Sequence, residues 1–172
     1  MTISKLGIEK KQKLYLNNLD LHIELLTDKQ EIPFDLLELA DPSRTQIKSY
    51  LTTGNCYVAK IEAKIVGAII LSKIDSTTIE IKNIAVREAE QGKGIGKALL
   101  KYAEKISQEL EYKKLIIGTG NSSIGQLALY QKSGFEISSI EYDFFILNYD
   151  ELIIENGIPC KHMILLKKIL NE

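Results

Sequence analysis

Cysteine and histidine are scarce in this chain, with two of each among 172 residues. Cys56 and Cys160 stand outside any CxxC or Cys/His cluster, which excludes a disulfide framework and leaves both as reduced structural thiols. His22 and His162 lie far apart in unrelated contexts, so no metal site is expected. A dominant sign of charge is also lacking. With 22 basic and 23 acidic side chains the net charge is −1, and no bulk positive field exists to attract nucleic acid. Long apolar runs are missing as well: the longest, Ile65 to Leu71, is interrupted by Gly67 and falls short of the roughly 18 residues of a membrane span. Met1 to Asn18 carries Lys5, Lys10, Lys11 and Lys13 but not the apolar stretch of about 7 to 15 residues that a secretory signal needs. A cytoplasmic location without membrane attachment is the expectation.

What is present is the balance of a soluble globular protein, 45% hydrophobic and 26% charged, long enough for one core and one domain over residues 1–172. Leu21 to Leu26 reads as a strand, followed by two short helices. The second has Asp41 as a cap, Pro42 at the first helical position, Ile47, Tyr50 and Leu51 as an apolar face, and Gly54 at its end. Cys56–Glu62, Ile65–Ile74 and Thr78–Val86 alternate as strands of an antiparallel meander, the first two joined by a turn around Ala63 and Lys64. From Gly94 to Glu111 the period changes, with Ile95, Ala98, Leu99, Tyr102, Ala103, Ile106 and Leu110 on one helical face. Lys114–Ile117 is a short strand. Gly118, Gly120, Asn121 and Ser122 form a turn into a helix that ends at Ser133 before Gly134. Phe135–Phe145 and Lys161–Leu170 read as two long closing strands. The order predicts a mixed α+β fold, a mostly antiparallel sheet flanked by helices.

Gln91-Gly92-Lys93-Gly94-Ile95-Gly96 lies between a strand and the start of the long helix. Three glycines let the backbone turn tightly, and the first helical turn leaves N–H groups unpaired with a partial positive charge, so a diphosphate fits there. Lys93 and Lys97 add charge at the same end. A nucleotide-hydrolysing loop would need Ser or Thr after its lysine, and Ala98 follows Lys97. A dinucleotide fold would need GxGxxG, whereas the spacing here is GxGxG.

At these residues the chain resembles the GNAT N-acetyltransferase superfamily, whose Q/R-x-x-G-x-G/A signature matches Gln91, Gly94 and Gly96. Ile84-Ala85-Val86 resembles the end of that family's fourth strand. Ala128-Leu129-Tyr130-Gln131-Lys132-Ser133-Gly134-Phe135 resembles its late helix and the following turn. The resemblance spans about residues 78–136 and implies the GNAT acyl-CoA N-acyltransferase fold, with acetyl-CoA as co-substrate and no metal. By that similarity Ile84, Ala85 and Val86 would bond the pantetheine as an added strand does. The diphosphate would lie on Gln91, Gly92, Lys93, Gly94, Ile95, Gly96 and Lys97. Lys97 or Lys101 would reach the 3′-phosphate. Tyr130 would protonate the leaving thiolate, and Lys132 accompanies it at the cofactor. Glu80 matches the position of a catalytic glutamate in some members, with a water relay as the competing base. Strand alternation sets Glu80, Lys82 and Ile84 on one face. Where the family often carries an asparagine this chain has Ser123, with Asn121 two residues earlier, so the cofactor contact could come from either or from neither.

The implied activity is transfer of an acetyl group to a primary amine of a small molecule or peptide, by direct attack on the thioester. A non-catalytic module that binds CoA as a sensor or scaffold is the alternative. Between Ser133 and Cys160 stand Glu136, Glu141, Asp143, Asp150, Glu151 and Glu155 with no lysine or arginine. In the arrangement that the resemblance implies, the late strands border the acceptor side, so this acidity points to a cationic acceptor, and the exposed late strands point to a homodimer.

Overall fold

Alternating apolar residues build the middle of the chain, and the computed structural model, which describes residues 12–16, 19–27 and 30–170, arranges them in one eight-stranded sheet. In chain order the elements are β1 (Gln12–Leu16), β2 (Leu19–Leu25), α1 (Phe34–Leu37), α2 (Arg44–Thr53), β3 (Gly54–Ile61), β4 (Lys64–Lys73) and β5 (Thr78–Val86). They continue with α3 (Ile95–Glu109), β6 (Lys114–Gly120), α4 (Ile124–Lys132), β7 (Glu136–Glu141), α5 (Phe144–Asn148), β8 (Ile154–Glu155), β9 (Ile158–Pro159) and β10 (Met163–Ile169). The sheet order is β1-β2-β3-β4-β5-β6-β10-β7, antiparallel at every pair except β5 with β6. The mixed α+β class expected from the sequence is the one observed.

Two apolar clusters cover the faces of the sheet. The face under α3 gathers Ile95, Leu99, Tyr102 and Ile106 with Tyr57, Ile69, Leu71, Ile79, Ile81 and Ile117. The opposite face packs Leu36, Leu37 and Ile47 of α1 and α2 on Cys56, Val58, Ala68, Ile70 and Ala85. α3 sits low on the sheet because Gly67 has no side chain; a Cβ there would come within 3.0 Å of Leu99 and 3.2 Å of Ile95. That seating brings the start of α3 against the end of β5.

The parallel pairing of β5 with β6 is short. Thr78–Ile81 pairs with Lys114–Ile117, and beyond those four residues the strands part. The cause lies on the other edge of β5, where the register against β4 shifts between Ile70/Leu71, leaving Lys82 as an extra residue between Ile81 and Asn83. A bulge of this kind bends its strand and increases the local twist. It also changes which face each residue meets. Ile79 and Ile81 belong to the α3 face, so Glu80 between them points the other way, while Ile84 after the bulge is back on the α3 face. The expectation that Glu80 and Ile84 share a face is corrected by this single inserted residue.

Other boundaries also differ from those expected. α2 is capped by Ser43, whose Oγ accepts from the Gln46 N–H at 3.3 Å, not by Asp41. The β3–β4 turn is formed by Glu62 and Ala63, both at positive φ, one residue earlier than read. Gly118 and Gly120 belong to β6, not to a turn. The long strand expected over Phe135–Phe145 stops at Glu141, because Asp143 adopts φ 58° and starts α5.

Candidate active site

Two cavities open where β5 and β6 part, and Leu39, Ala40, Ile84, Gln126 and Tyr130 line both. The first, of about 620 Å³, runs along Ile84, Ala85 and Val86 to Gln91, Gly92, Gly94, Ile95, Gly96 and Lys97. Gln91, Gly92, Lys93 and Gly94 are exposed. Gly92 and Gly94 hold φ 75° and 88°, conformations open to glycine at little cost. The Ala98 N–H donates to the Gly94 carbonyl at 3.0 Å. The N–H groups of Ile95, Gly96 and Lys97 therefore precede the first intrahelical bond and carry the positive end of a 15-residue helix. Gln91 anchors the loop by donating from Nε2 to the Val86 carbonyl at 3.0 Å. An anion fits this end, and the strand edge of β5 beside it, free of β6, fits an extended chain bearing amides.

The other predicted residues fall in several places. Lys93 pairs with Glu90 at 2.9 Å and does not line the cavity, although Glu90 does. Lys132 borders a small recess of about 200 Å³ together with Lys97, Lys101, Glu104 and Lys168. Asn121 is occupied with structure: its Nδ2 donates to the Pro159 carbonyl, and its Oδ1 accepts from the N–H groups of Lys161 and His162. Ser123 lines the second cavity, not the first. Glu80 lines neither, and its carboxylate is ion-paired with Lys82.

Tyr130 stands where the cavities meet. It is only 4% exposed, and its ring packs 6.3 Å from that of Phe135. Its hydroxyl has no hydrogen-bond partner among the described residues. Burial, and then the charge of Glu155, push that hydroxyl well above the ordinary tyrosine value, so the group stays protonated and able to donate.

The second cavity, of about 410 Å³, passes between Ile81–Ile84 of β5 and Ile117–Gly120 of β6 and ends among aromatic and acidic side chains. Asp41 is its most enclosed carboxylate: Oδ1 accepts from the Ser43 N–H at 2.9 Å and the Tyr149 hydroxyl at 3.1 Å, and Oδ2 from the Tyr50 hydroxyl at 3.1 Å. These bonds tie the segment after β7 to the helices before β3. Burial followed by the Asp41 charge pushes the Tyr50 and Tyr149 hydroxyls up. Buried Asn83 donates from Nδ2 to the Leu37 carbonyl at 3.0 Å, while its Oδ1 has no partner.

Tyr50, Tyr102, Tyr130 and Tyr149 all have hydroxyls raised from 10.0, burial being the first cause in each. They stay neutral in the folded protein at pH values where the unfolded chain's tyrosines ionise. The stability this represents is whole below the ordinary tyrosine pKa and is lost as pH rises through the folded values. Melting temperature is therefore expected to fall steeply from about pH 10 upward, as read from thermal melts across that range.

Sequence reasoning missed Asp41 as a site residue, having read it as a helix cap, and missed Asn83, Tyr149 and Gln126 altogether. Glu155 was counted only as one of six acids. The Asn156-Gly157 pair beside it, a strong hairpin signal, could have located it.

Comparison with known proteins agrees with this geometry. A sequence model described as the acetyltransferase (GNAT) family matches residues 22–135. The uncharacterized N-acetyltransferase YvbK of Bacillus subtilis is 46% identical over 149 residues, covering 87% of this chain and 96% of its own. A GNAT family acetyltransferase from Elizabethkingia anophelis, crystallised with acetyl-CoA bound, is 52% identical over 87% of this chain and 98% of its own, with a TM-score of 0.86. A Bacillus cereus protein described as an IAA acetyltransferase is 49% identical over 88% of this chain and 100% of its own, with a TM-score of 0.84. A matched family model over most of the chain, near-full-length relatives and the parted strands beside an open glycine turn lead to one conclusion: this chain belongs to the GNAT acetyltransferase family.

Proposed function

We propose that the protein moves the acetyl group of acetyl-CoA to a primary amine by direct attack of the amine on the thioester. The observation that carries this reading is the meeting of two cavities at Tyr130, one suited to a diphosphate and an extended arm, the other to an acceptor. The N–H groups from Gly92 to Lys97 hold the diphosphate, and the backbone of Ile84, Ala85 and Val86 bonds the pantetheine amides. An N–H of that same segment polarises the thioester carbonyl. The amine gives up one proton before attack, since an alkylamine is protonated at neutral pH. Its lone pair forms the C–N bond, and the tetrahedral adduct expels the thiolate as the C–S bond breaks. Tyr130 gives the sulfur a proton and regains one from the new amide nitrogen, so one proton in total leaves to solvent. Glu80 lines neither cavity and is paired with Lys82, which favours a water relay over direct proton transfer to Glu80.

The Bacillus cereus relative is named for IAA. At 49% identity the acceptor walls are free to differ, so the acceptor class is taken from this chain's own cavity.

The test joins binding to turnover. Acetyl-CoA at 100 times its dissociation constant is expected to stabilise the folded state by about 2.7 kcal/mol, read as a rise in melting temperature. Thiol release with an amine panel then separates an enzyme from a module that only binds CoA. Absence of any thermal shift removes the cofactor site from consideration.

A further inference from the structure

Resting on that reading, we propose that Glu155 is the carboxylate that receives the ammonium group of the acceptor and so selects small cationic primary amines. Of the six acidic residues between Ser133 and Cys160, Glu155 alone lines the acceptor cavity. The general acidity of this segment is therefore not what faces a substrate; one side chain is. Its place is set by a tight hairpin. β8 and β9 pair through Ile154 with Pro159 and Glu155 with Ile158, and the two residues between them, Asn156 and Gly157, both adopt positive φ, as a two-residue turn of this hand requires. The hairpin is moored to the start of α4. Asn156 donates from Nδ2 to the Ser122 carbonyl at 2.9 Å, and Ser123 donates from Oγ to Glu155 Oε2 at 2.6 Å.

That mooring uses one carboxylate oxygen and leaves Oε1 without a protein partner among the described residues. The contrast with Asp41 is what singles out Glu155. Both oxygens of Asp41 are already engaged by Ser43, Tyr50 and Tyr149, so it shapes the wall and has little capacity left for a ligand. A second observation points the same way. Asn83 lines the cavity from the β5 side, is 4% exposed, and has an Oδ1 with no donor. A buried acceptor without a donor is costly, and an N–H from a ligand would satisfy it. The free groups on these two walls are both hydrogen-bond acceptors, which suits an ammonium with three N–H donors. Tyr50, Phe144, Phe145 and Tyr149 supply aromatic surface, favourable to a cation and to an apolar stem. Glu155 also acts on Tyr130 by its charge, so an amine resting on it lies beside the residue that serves the sulfur.

The test uses Glu155→Gln, which removes the charge but still accepts from Ser123. Thiol release from acetyl-CoA is followed with 2-phenylethylamine, tyramine, putrescine and spermidine, and with hydroxylamine, a nucleophile uncharged at neutral pH. KM for the best cationic amine is expected to rise about 10- to 100-fold, the loss expected for a hydrogen bond to a charged group. KM for acetyl-CoA should stay within about threefold, and the loss with hydroxylamine should be at least about tenfold smaller than the loss with the cationic amine. A second measurement needs no variant: with the wild-type protein, N,N-dimethyl-2-phenylethylamine, which is cationic but not acetylated, should inhibit at least about tenfold better than uncharged 2-phenylethanol. An unchanged amine KM, equal losses with amine and hydroxylamine, or equal inhibition by the two analogues overturns the assignment. So does a wild-type protein that binds acetyl-CoA and turns over none of the four amines. Failure of the wild-type protein to bind acetyl-CoA would instead remove the acetyl-transfer reading beneath it.

Discussion

Tyr130→Phe is expected to lower kcat by about 100-fold or more, the lower end of what a positioned general acid contributes, while leaving the dissociation constant of acetyl-CoA within about twofold. The substitution is clean for a structural reason. The hydroxyl has no partner among the described residues, so removing it strands no donor or acceptor, and the ring keeps its packing beside Phe135 at 6.3 Å. Melting temperature should therefore hardly move. What is lost is a proton source at the point where the two cavities meet. Because burial and Glu155 push the Tyr130 hydroxyl up, the wild-type residue stays a donor into the alkaline range. The rise of kcat/KM with pH should accordingly follow deprotonation of the amine, with an ordinary pKa of about 10.4, and show no earlier alkaline fall. Steady-state kinetics with acetyl-CoA titrated against each variant check the split. Unchanged turnover would remove Tyr130 from the chemistry and leave it as a core aromatic.

Much of the cofactor side was legible because local sequence determines it. Gly92 and Gly94 announce positive φ, and the change of period at Ile95 announces the helix whose first N–H groups they expose. The bounds Thr78–Val86 match the sequence reading because β-branched residues recur along the whole segment. The acceptor side was not legible, since it is assembled from distant segments by tertiary contacts. Asp41 carries a helix-cap signature, yet its carboxylate serves Tyr149, 108 positions on. Asn121 sits where a cofactor contact was anticipated and is used to hold the approach to β10. The bulge at Lys82 has no signature in composition or period; it follows from how β5 is matched to β4. That one residue puts Ile84 on the α3 face, opposite to Glu80, and it coincides with the point where β5 leaves β6. Charge counting over the late segment singled out no side chain, because five of its six acids lie outside the cavity and only the hairpin fold turns Glu155 inward.

The glycine turn carries the complementary prediction, in which affinity changes and chemistry does not. Gly94 precedes the first residue of α3 with φ 88° and ψ 3°. A β-branched residue is a genuine outlier in that conformation, and such strain costs on the order of 1–3 kcal/mol. Gly94→Val can relieve it only by rotating the peptide units on either side, which carry the N–H groups of two residues lining the cavity, Gly94 and Ile95. Neither outcome is favourable: a turn kept in place is strained, and a turn that relaxes no longer presents its amides to a diphosphate. The dissociation constant of acetyl-CoA is expected to rise about 10- to 100-fold, the affinity equivalent of that strain. With saturating acetyl-CoA, kcat should stay within about threefold, because Tyr130 and the acceptor walls lie on other elements. Titration calorimetry gives the first quantity and initial rates the second. Tyr130→Phe and Gly94→Val thus test separately the two tasks proposed for the site, proton supply at the cavity junction and anion capture at the helix start. A Gly94→Val protein that binds acetyl-CoA as tightly as the wild type would mean that these amides do not hold the phosphates.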